Sequence, residues 1–147
     1  MNVVPIEESV AKEVRATLLA PDYGHPAWND EVPGTAPCRL CLTMIKDRMI
    51  LFTYDAFRGQ EDIPLPGPIF VHEGECAPYA AHETFPPEFR GQSLVLDAYR
   101  AGRELVAETR VEGVDADAAL AELLADADYV HVRSAKAGCY LFTVMSD

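Results

Sequence analysis

Residues 94–145 read LVLDAYRAGRELVAETRVEGVDADAALAELLADADYVHVRSAKAGCYLFTVM, and their pattern decides the fold. Leu94–Tyr99 and Glu104–Val111 lie on either side of Arg100-Ala101-Gly102-Arg103, which predicts a hairpin with a glycine-containing turn. Asp115 stands where it can cap a helix in which Ala116, Leu120, Leu123, Leu124 and Ala127 form one apolar face. Tyr129–Arg133 and Cys139–Met145 are two further strands around Ala135-Lys136-Ala137-Gly138. Hairpin, helix and hairpin over residues 93–147 predict an α+β domain with a mainly antiparallel sheet.

The first half is less regular. Ile6, Val10, Val14 and Leu18 recur every four residues, the mark of an amphipathic helix that Pro21 would end. Two short helices are therefore expected in all. Residues 21–37 carry four prolines and two glycines and read as irregular chain. Met49–Tyr54 and Ile69–Val71 have strand character, separated by turn-rich sequence between Arg58 and Pro68. Residues 77–90, with Pro78, Pro86 and Pro87, read as loop with at most one helical turn. No repeat or linker divides the chain, so residues 1–147 are expected to form a single domain.

Composition narrows the function classes. With 147 residues, 49% of them hydrophobic, the chain can bury a core of ordinary size. Twelve basic against twenty-four acidic residues give a net charge of −12. Nucleic-acid affinity rests on basic side chains meeting phosphates, so no nucleic-acid partner is expected. Met1–Glu8 lacks the features of a signal peptide, and no run of about eighteen apolar residues occurs. A cytoplasmic protein with reduced cysteines is the expectation.

Three of the four cysteines stand in a metal-ligand spacing. Cys38 and Cys41 are separated by two residues; thirty residues later come His72 and Cys76, separated by three. Zinc takes thiolate and imidazole ligands in tetrahedral geometry, and a closed set of four makes a structural site. Cysteines are also commonly plain buried residues, and Cys38-x₂-Cys41 alone would not outweigh that. A thioredoxin-like pair is disfavoured, because proline-rich loop rather than a strand precedes Cys38. The layout, a tight cysteine turn and then paired ligands after a strand-containing insertion, resembles treble-clef zinc modules. Its spacing is similar to that of the zinc finger of poly(ADP-ribose) polymerases, with one extra residue in the second pair. Over residues 38–76, Cys38, Cys41, His72 and Cys76 are the expected metal ligands, and zinc the expected metal.

A second group lies near the C-terminus. Tyr129, His131 and Arg133 alternate with Val130 and Val132, so they share one face of a strand. Lys136 and Cys139 follow. His131, Arg133, Lys136 and Cys139 are the candidate ligand-binding residues, Arg133 being suited to a carboxylate or phosphate. The expected partner is a small anionic molecule or a protein. A small enzyme is the alternative, with Cys139 or the His72/Cys76 pair acting beside His131 and Arg133. Equally, a His–Arg pair on the outer face of a hairpin is often only solvated.

Several segments together carry a family resemblance. They are Cys38-Arg39-Leu40-Cys41-Leu42, Leu51-Phe52-Thr53-Tyr54-Asp55-Ala56-Phe57, Gly67-Pro68-Ile69-Phe70-Val71-His72, Cys76-Ala77-Pro78-Tyr79 and His131 through Cys139. In these the chain resembles the bacterial family known as domain of unknown function 1203, departing at Ser134, where that family often has Asn. The resemblance implies a single small domain and draws the Cys/His quartet and the His131–Cys139 segment into one signature. It implies no particular activity.

Overall fold

The structure, a computed structural model, describes residues 1–32, 34 and 36–147. Pro33 and Thr35, in the segment expected to be irregular, lie outside the described residues. The chain runs through β1 (Asn2–Val4), α1 (Glu8–Thr17), β2 (Trp28–Glu31), β3 (Ala36–Pro37), β4 (Met44–Ile45), β5 (Arg48–Asp55) and β6 (Pro66–His72). Then follow β7 (Ser93–Arg100), β8 (Glu104–Glu112), α2 (Ala116–Leu124), β9 (Tyr129–Ser134) and β10 (Tyr140–Met145). It is an α+β fold with two helices and antiparallel strand pairing, as the sequence pattern predicts.

Five strands form the larger sheet in the order β1-β10-β9-β7-β8. The hairpin–helix–hairpin unit supplies four of them, and β9 pairs with β7 so that Leu96 lies opposite Val132. Apolar alternation sends Leu94, Leu96, Val130, Val132 and Phe142 to one buried face, where Leu120 of α2 joins them. Phe85 and Phe89, from the proline-rich segment 77–90, pack their rings 5.7 and 5.6 Å from that of Phe142. That segment is loop with one short 3₁₀ turn, Pro87–Phe89, and its two phenylalanines seal the core.

The smaller sheet has the order β2-β5-β6. Met49, Ile50, Phe52 and Tyr54 of β5 and Ile69 and Val71 of β6 are buried with Val10, Ala11 and Val14 of α1. Thus α1 uses the face its four-residue spacing marks out. It ends at Leu18, whose left-handed backbone (φ 53°) closes the last turn before Pro21 is reached. Strand β2 falls in sequence expected to be irregular. Three of its four residues are not core-forming (Asn29, Asp30, Glu31), so it has no apolar pattern, and edge pairing to β5 alone makes it a strand.

Two local details depart from expectation for one reason. The chain enters α2 through a 3₁₀ turn, Gly113–Asp115, leaving Asp115 at φ −102°, ψ 5°. In that conformation its carboxylate makes no capping hydrogen bond. The turn is tight because Gly113 lies against the backbone of Phe89 and Arg90, where an added Cβ would sit 2.0 Å from the Phe89 carbonyl oxygen. Gly113→Ala should therefore cost about 3 kcal/mol or more, the upper range for overpacking, since backbone must move. Gly91→Ala, with open space at its Cβ, should be nearly neutral. Urea unfolding of the two variants checks this, and equal midpoints would contradict it.

Candidate metal centre and adjoining cavity

Strands β3 and β4 form a miniature hairpin whose turn carries the first cysteine pair. The Cys38 amide donates to the Thr43 carbonyl at 2.9 Å and the Leu42 amide to the Cys38 carbonyl at 2.9 Å. Leu42 takes a left-handed backbone (φ 60°), uncommon for a non-glycine residue, and is held there by a fully buried side chain. A parallel bridge joins Cys38 to Phe70 of β6, two residues before His72. That bridge brings the turn to the end of β6 and sets the two halves of the quartet side by side. The last ligand, Cys76, lies on loop, so the second pair straddles the end of a strand.

The ligand atoms of Cys38, Cys41, His72 and Cys76 all lie within 4.8 Å of one another. Cys38 Sγ and Cys76 Sγ are 3.8 Å apart, and Cys41 Sγ is 3.4 Å from His72 Nδ1. A tetrahedron with metal–sulfur bonds of about 2.3 Å has edges of about 3.8 Å, so the quartet is already of the size one ion needs. All four cysteines are free thiols. Hydrogen bonds from the Cys38 and Cys76 side chains push the Cys41 thiol down, while Cys76 is pushed up by its contacts with Cys38 and Cys41.

Two arginines that the sequence reading did not single out flank this cluster. Arg15 of α1 donates from Nη2 to Cys76 Sγ at 3.2 Å and from Nε to the His72 carbonyl at 3.1 Å. The His72 amide points at Cys38 Sγ, 3.4 Å away. Arg39, between the two cysteines in sequence, is 0% exposed. It donates to the carbonyls of Tyr140 (Nε, 2.7 Å) and Pro37 (Nη1, 2.6 Å), while its Nη2 has no hydrogen-bond partner among the described residues. Burial lowers its pKa, opposed by the neighbouring Cys139, Cys38 and Tyr140. A charged residue in an otherwise apolar Cys-Arg-Leu-Cys-Leu stretch was the available signal for it.

Where the two sheets meet there is a cavity of about 460 Å³. His131, Arg133 and Cys139 all line it, so the structure brings together three of the four candidate ligand-binding residues. Lys136 is not among them: it sits in the β9–β10 turn, which carries its side chain out to solvent. The outer wall comes from Leu65 through Ile69, and none of residues 77–90 contributes.

The strand face that carries the candidate residues, which the sequence left as either a binding face or a solvated one, is covered. Tyr129 and His131 are buried, because Phe57, on the loop after β5, folds over them with its ring 4.5 Å from the imidazole. Glu61 holds that loop down by accepting bonds from the Gly102 and Arg103 amides and the Tyr129 hydroxyl. His131 is 3% exposed, and its Nε2 has no hydrogen-bond partner among the described residues. Arg133 is engaged by Asp97 (Nε–Oδ2 2.6 Å), Glu108 (Nη2, 3.4 Å) and the Gly138 carbonyl (Nη1, 3.3 Å). Phe57, Asp97, Tyr99 and Tyr140 complete the site, and no short-range motif marks them.

A family model described as a protein of unknown function (DUF1203) matches residues 35–145. The chain belongs to this family, whose region includes the Cys/His quartet and the cavity's β9–β10 wall. No curated protein and no solved structure shows significant similarity to it. No helix among the described residues is long and apolar enough to cross a membrane.

Burial pushes the His131 pKa down to about 4, against the opposing pull of Asp97 and Asp55. The folded protein thus holds the imidazole neutral, while the unfolded chain takes up its proton near the ordinary value of about 6.5. Stability from this group is full above that pH and is lost as the pH falls towards 4, by on the order of 3 kcal/mol. His131→Phe should flatten this stretch of the stability profile relative to wild type. Denaturation midpoints between pH 7 and pH 4 measure it, and parallel profiles would refute it.

Proposed function

We propose that this domain is a small-molecule-binding module stabilised by one structural zinc ion that ties the β3–β4 turn to the end of β6. Cys38, Cys41, His72 and Cys76 would hold the metal. Three thiolates and an imidazole are the donor set zinc favours, and four protein ligands leave no position open for a substrate. Charge supports the same reading. A divalent ion with three thiolates carries a net charge of −1, and the buried Arg39, with Arg15 at Cys76, supplies the compensating cations. When bound, the ion would supply cross-linking rather than chemistry.

The binding role rests on one observation. The cavity where the sheets meet is lined by aromatic and proline side chains together with the buried imidazole of His131. Mostly apolar hollows of this size with a few fixed polar groups are how proteins hold small ligands. His131, Arg133 and Cys139 are the polar members we assign to it. The catalytic alternative is weaker here. His72 and Cys76 belong to the quartet, and among the described residues no hydrogen bond joins Cys139 to His131. A reducing compartment such as the cytoplasm would keep the thiols available, and the acid excess argues against nucleic acid as a partner.

Protein purified without metal-affinity resin should contain about one zinc per chain by elemental analysis. Cys41→Ser should lose the metal and several kcal/mol of stability, because metal binding is linked to folding. A chelator should lower the melting temperature of the wild type but not of the variant. Metal-free wild-type protein whose melting ignores both zinc and chelator would sink the zinc assignment.

A further inference from the structure

We propose that Cys139 is a site of reversible oxidation by a hydroperoxide, its sulfur set in the cavity wall beside the buried guanidinium of Arg39. The inference goes beyond the binding reading, which gives Cys139 no more than a contact. Placement is the first argument. Cys139 is a free, half-buried thiol, and the other three cysteines all belong to the quartet. Its backbone is gripped on both sides. Arg133 Nη1 donates to the Gly138 carbonyl at 3.3 Å, and Arg39 Nε to the Tyr140 carbonyl at 2.7 Å. Arg133 is paired with Asp97 and Glu108, so its charge is met. Arg39 differs, because no carboxylate pairs with it among the described residues. A metal-loaded quartet would balance one of Arg15 and Arg39, not both. Partly exposed thiols beside a cation are the ones that react, whereas enclosed cysteines are inert.

Hydrogen bonding supplies the second argument. With Nε and Nη1 of Arg39 engaged by carbonyls, Nη2 is the nitrogen without a partner among the described residues. The Cys139 thiol lies against this guanidinium without making a well-formed bond to it. A thiol sulfur is a weak acceptor and leaves a buried N–H poorly satisfied. An oxygen bonded to that sulfur is a strong acceptor, and stronger still beside a guanidinium. Nη2 is closed off from solvent, so no freely diffusing ligand is asked to reach it. The oxygen would instead arrive on a side chain already alongside, whose sulfur the cavity makes accessible. In the reaction the sulfur attacks the terminal oxygen of the hydroperoxide, and an S–O bond forms as the O–O bond breaks. The departing oxygen leaves as alcohol or water, taking the proton that the thiol gives up. Cys139 is thereby oxidised to sulfenic acid and the peroxide reduced by the same two electrons. Negative charge builds on the oxygens during this step, where a fixed guanidinium stabilises it. An external thiol would condense with the sulfenic acid, releasing water, and a second would reduce the mixed disulfide to restore Cys139.

The test treats the full-length, zinc-replete protein with hydrogen peroxide and, in parallel, with cumene hydroperoxide. Mass spectrometry after trapping with dimedone reads sulfenic acid at each cysteine separately. The same chain unfolded in urea gives the rate of an ordinary thiol. Cys139 in the folded protein should be oxidised about tenfold faster than in the unfolded chain by at least one reagent, although it is half-buried. A greater gain with cumene hydroperoxide would name an organic hydroperoxide as the oxidant, in keeping with the apolar walls at Leu65, Pro66 and Pro68. A greater gain with hydrogen peroxide would name the inorganic one. Arg39→Lys keeps a charge but loses the planar fork, and should bring the folded rate down towards the unfolded one. Folded Cys139 that reacts no faster than unfolded Cys139 with both reagents would overturn the proposal. So would a folded Arg39→Lys protein that is oxidised as fast as wild type; if that variant does not fold, the wild-type comparison decides. Failure of the zinc assignment would show at the quartet cysteines and leave the reading at Cys139 intact.

Discussion

The structure turns on a buried guanidinium. Arg39 has no access to water, and a charge so placed must find partners or cost several kcal/mol. The guanidinium bonds the Tyr140 and Pro37 carbonyls, and the residue's backbone ties it to two further parts of the molecule. Nε bonds the Tyr140 carbonyl of β10, in the larger sheet. Its amide bonds the Phe70 carbonyl of β6, in the smaller one. The Ile6 amide, just before α1, donates to its carbonyl. Replacing the side chain would free the cysteine turn from β10, while the backbone bonds to β6 and to Ile6 would remain.

The Cys/His quartet and the cavity are consequences of that junction rather than separate features. Cys38 precedes Arg39, and the bridge to β6 that seats Arg39 also presents Cys38 to His72. Tyr140, whose carbonyl Arg39 holds, forms one wall of the cavity, and Cys139 beside it forms another part. The Cys/His quartet, the buried Arg39 side chain and the aromatic hollow are thus brought together by one junction. The Asp97–Arg133 ion pair is part of the cavity wall.

Cover over the strand face is the other organising constraint. A β-sheet with alternating polar and apolar residues ordinarily buries one side and wets the other. Here the second side of β9 is buried as well, by Phe57 and the loop that Glu61 pins to the β7–β8 turn. The burial is what makes His131 a neutral group and gives its unsatisfied nitrogen consequence. On an open surface, water would satisfy it and the imidazole would titrate normally.

The sequence alone determined the α+β class, the hairpin–helix–hairpin unit, the amphipathic face of α1 and the metal-ligand quartet. Each depends on spacing over a few residues, or on a donor set whose chemistry has few other uses, so each is legible locally. The β2 and β3–β4 pairings escaped it, because Asn29-Asp30-Glu31 and a two-residue bridge carry no periodic signal and exist only through their partners. Tertiary structure decided the rest. It turned the expected solvent face of His131 into the wall of a cavity, sent Lys136 out to solvent and committed Arg133 to Asp97. It also placed Arg15 and Arg39 around the sulfurs. These are encounters between residues tens of positions apart, and electrostatic partnership across such distances leaves no trace in local pattern.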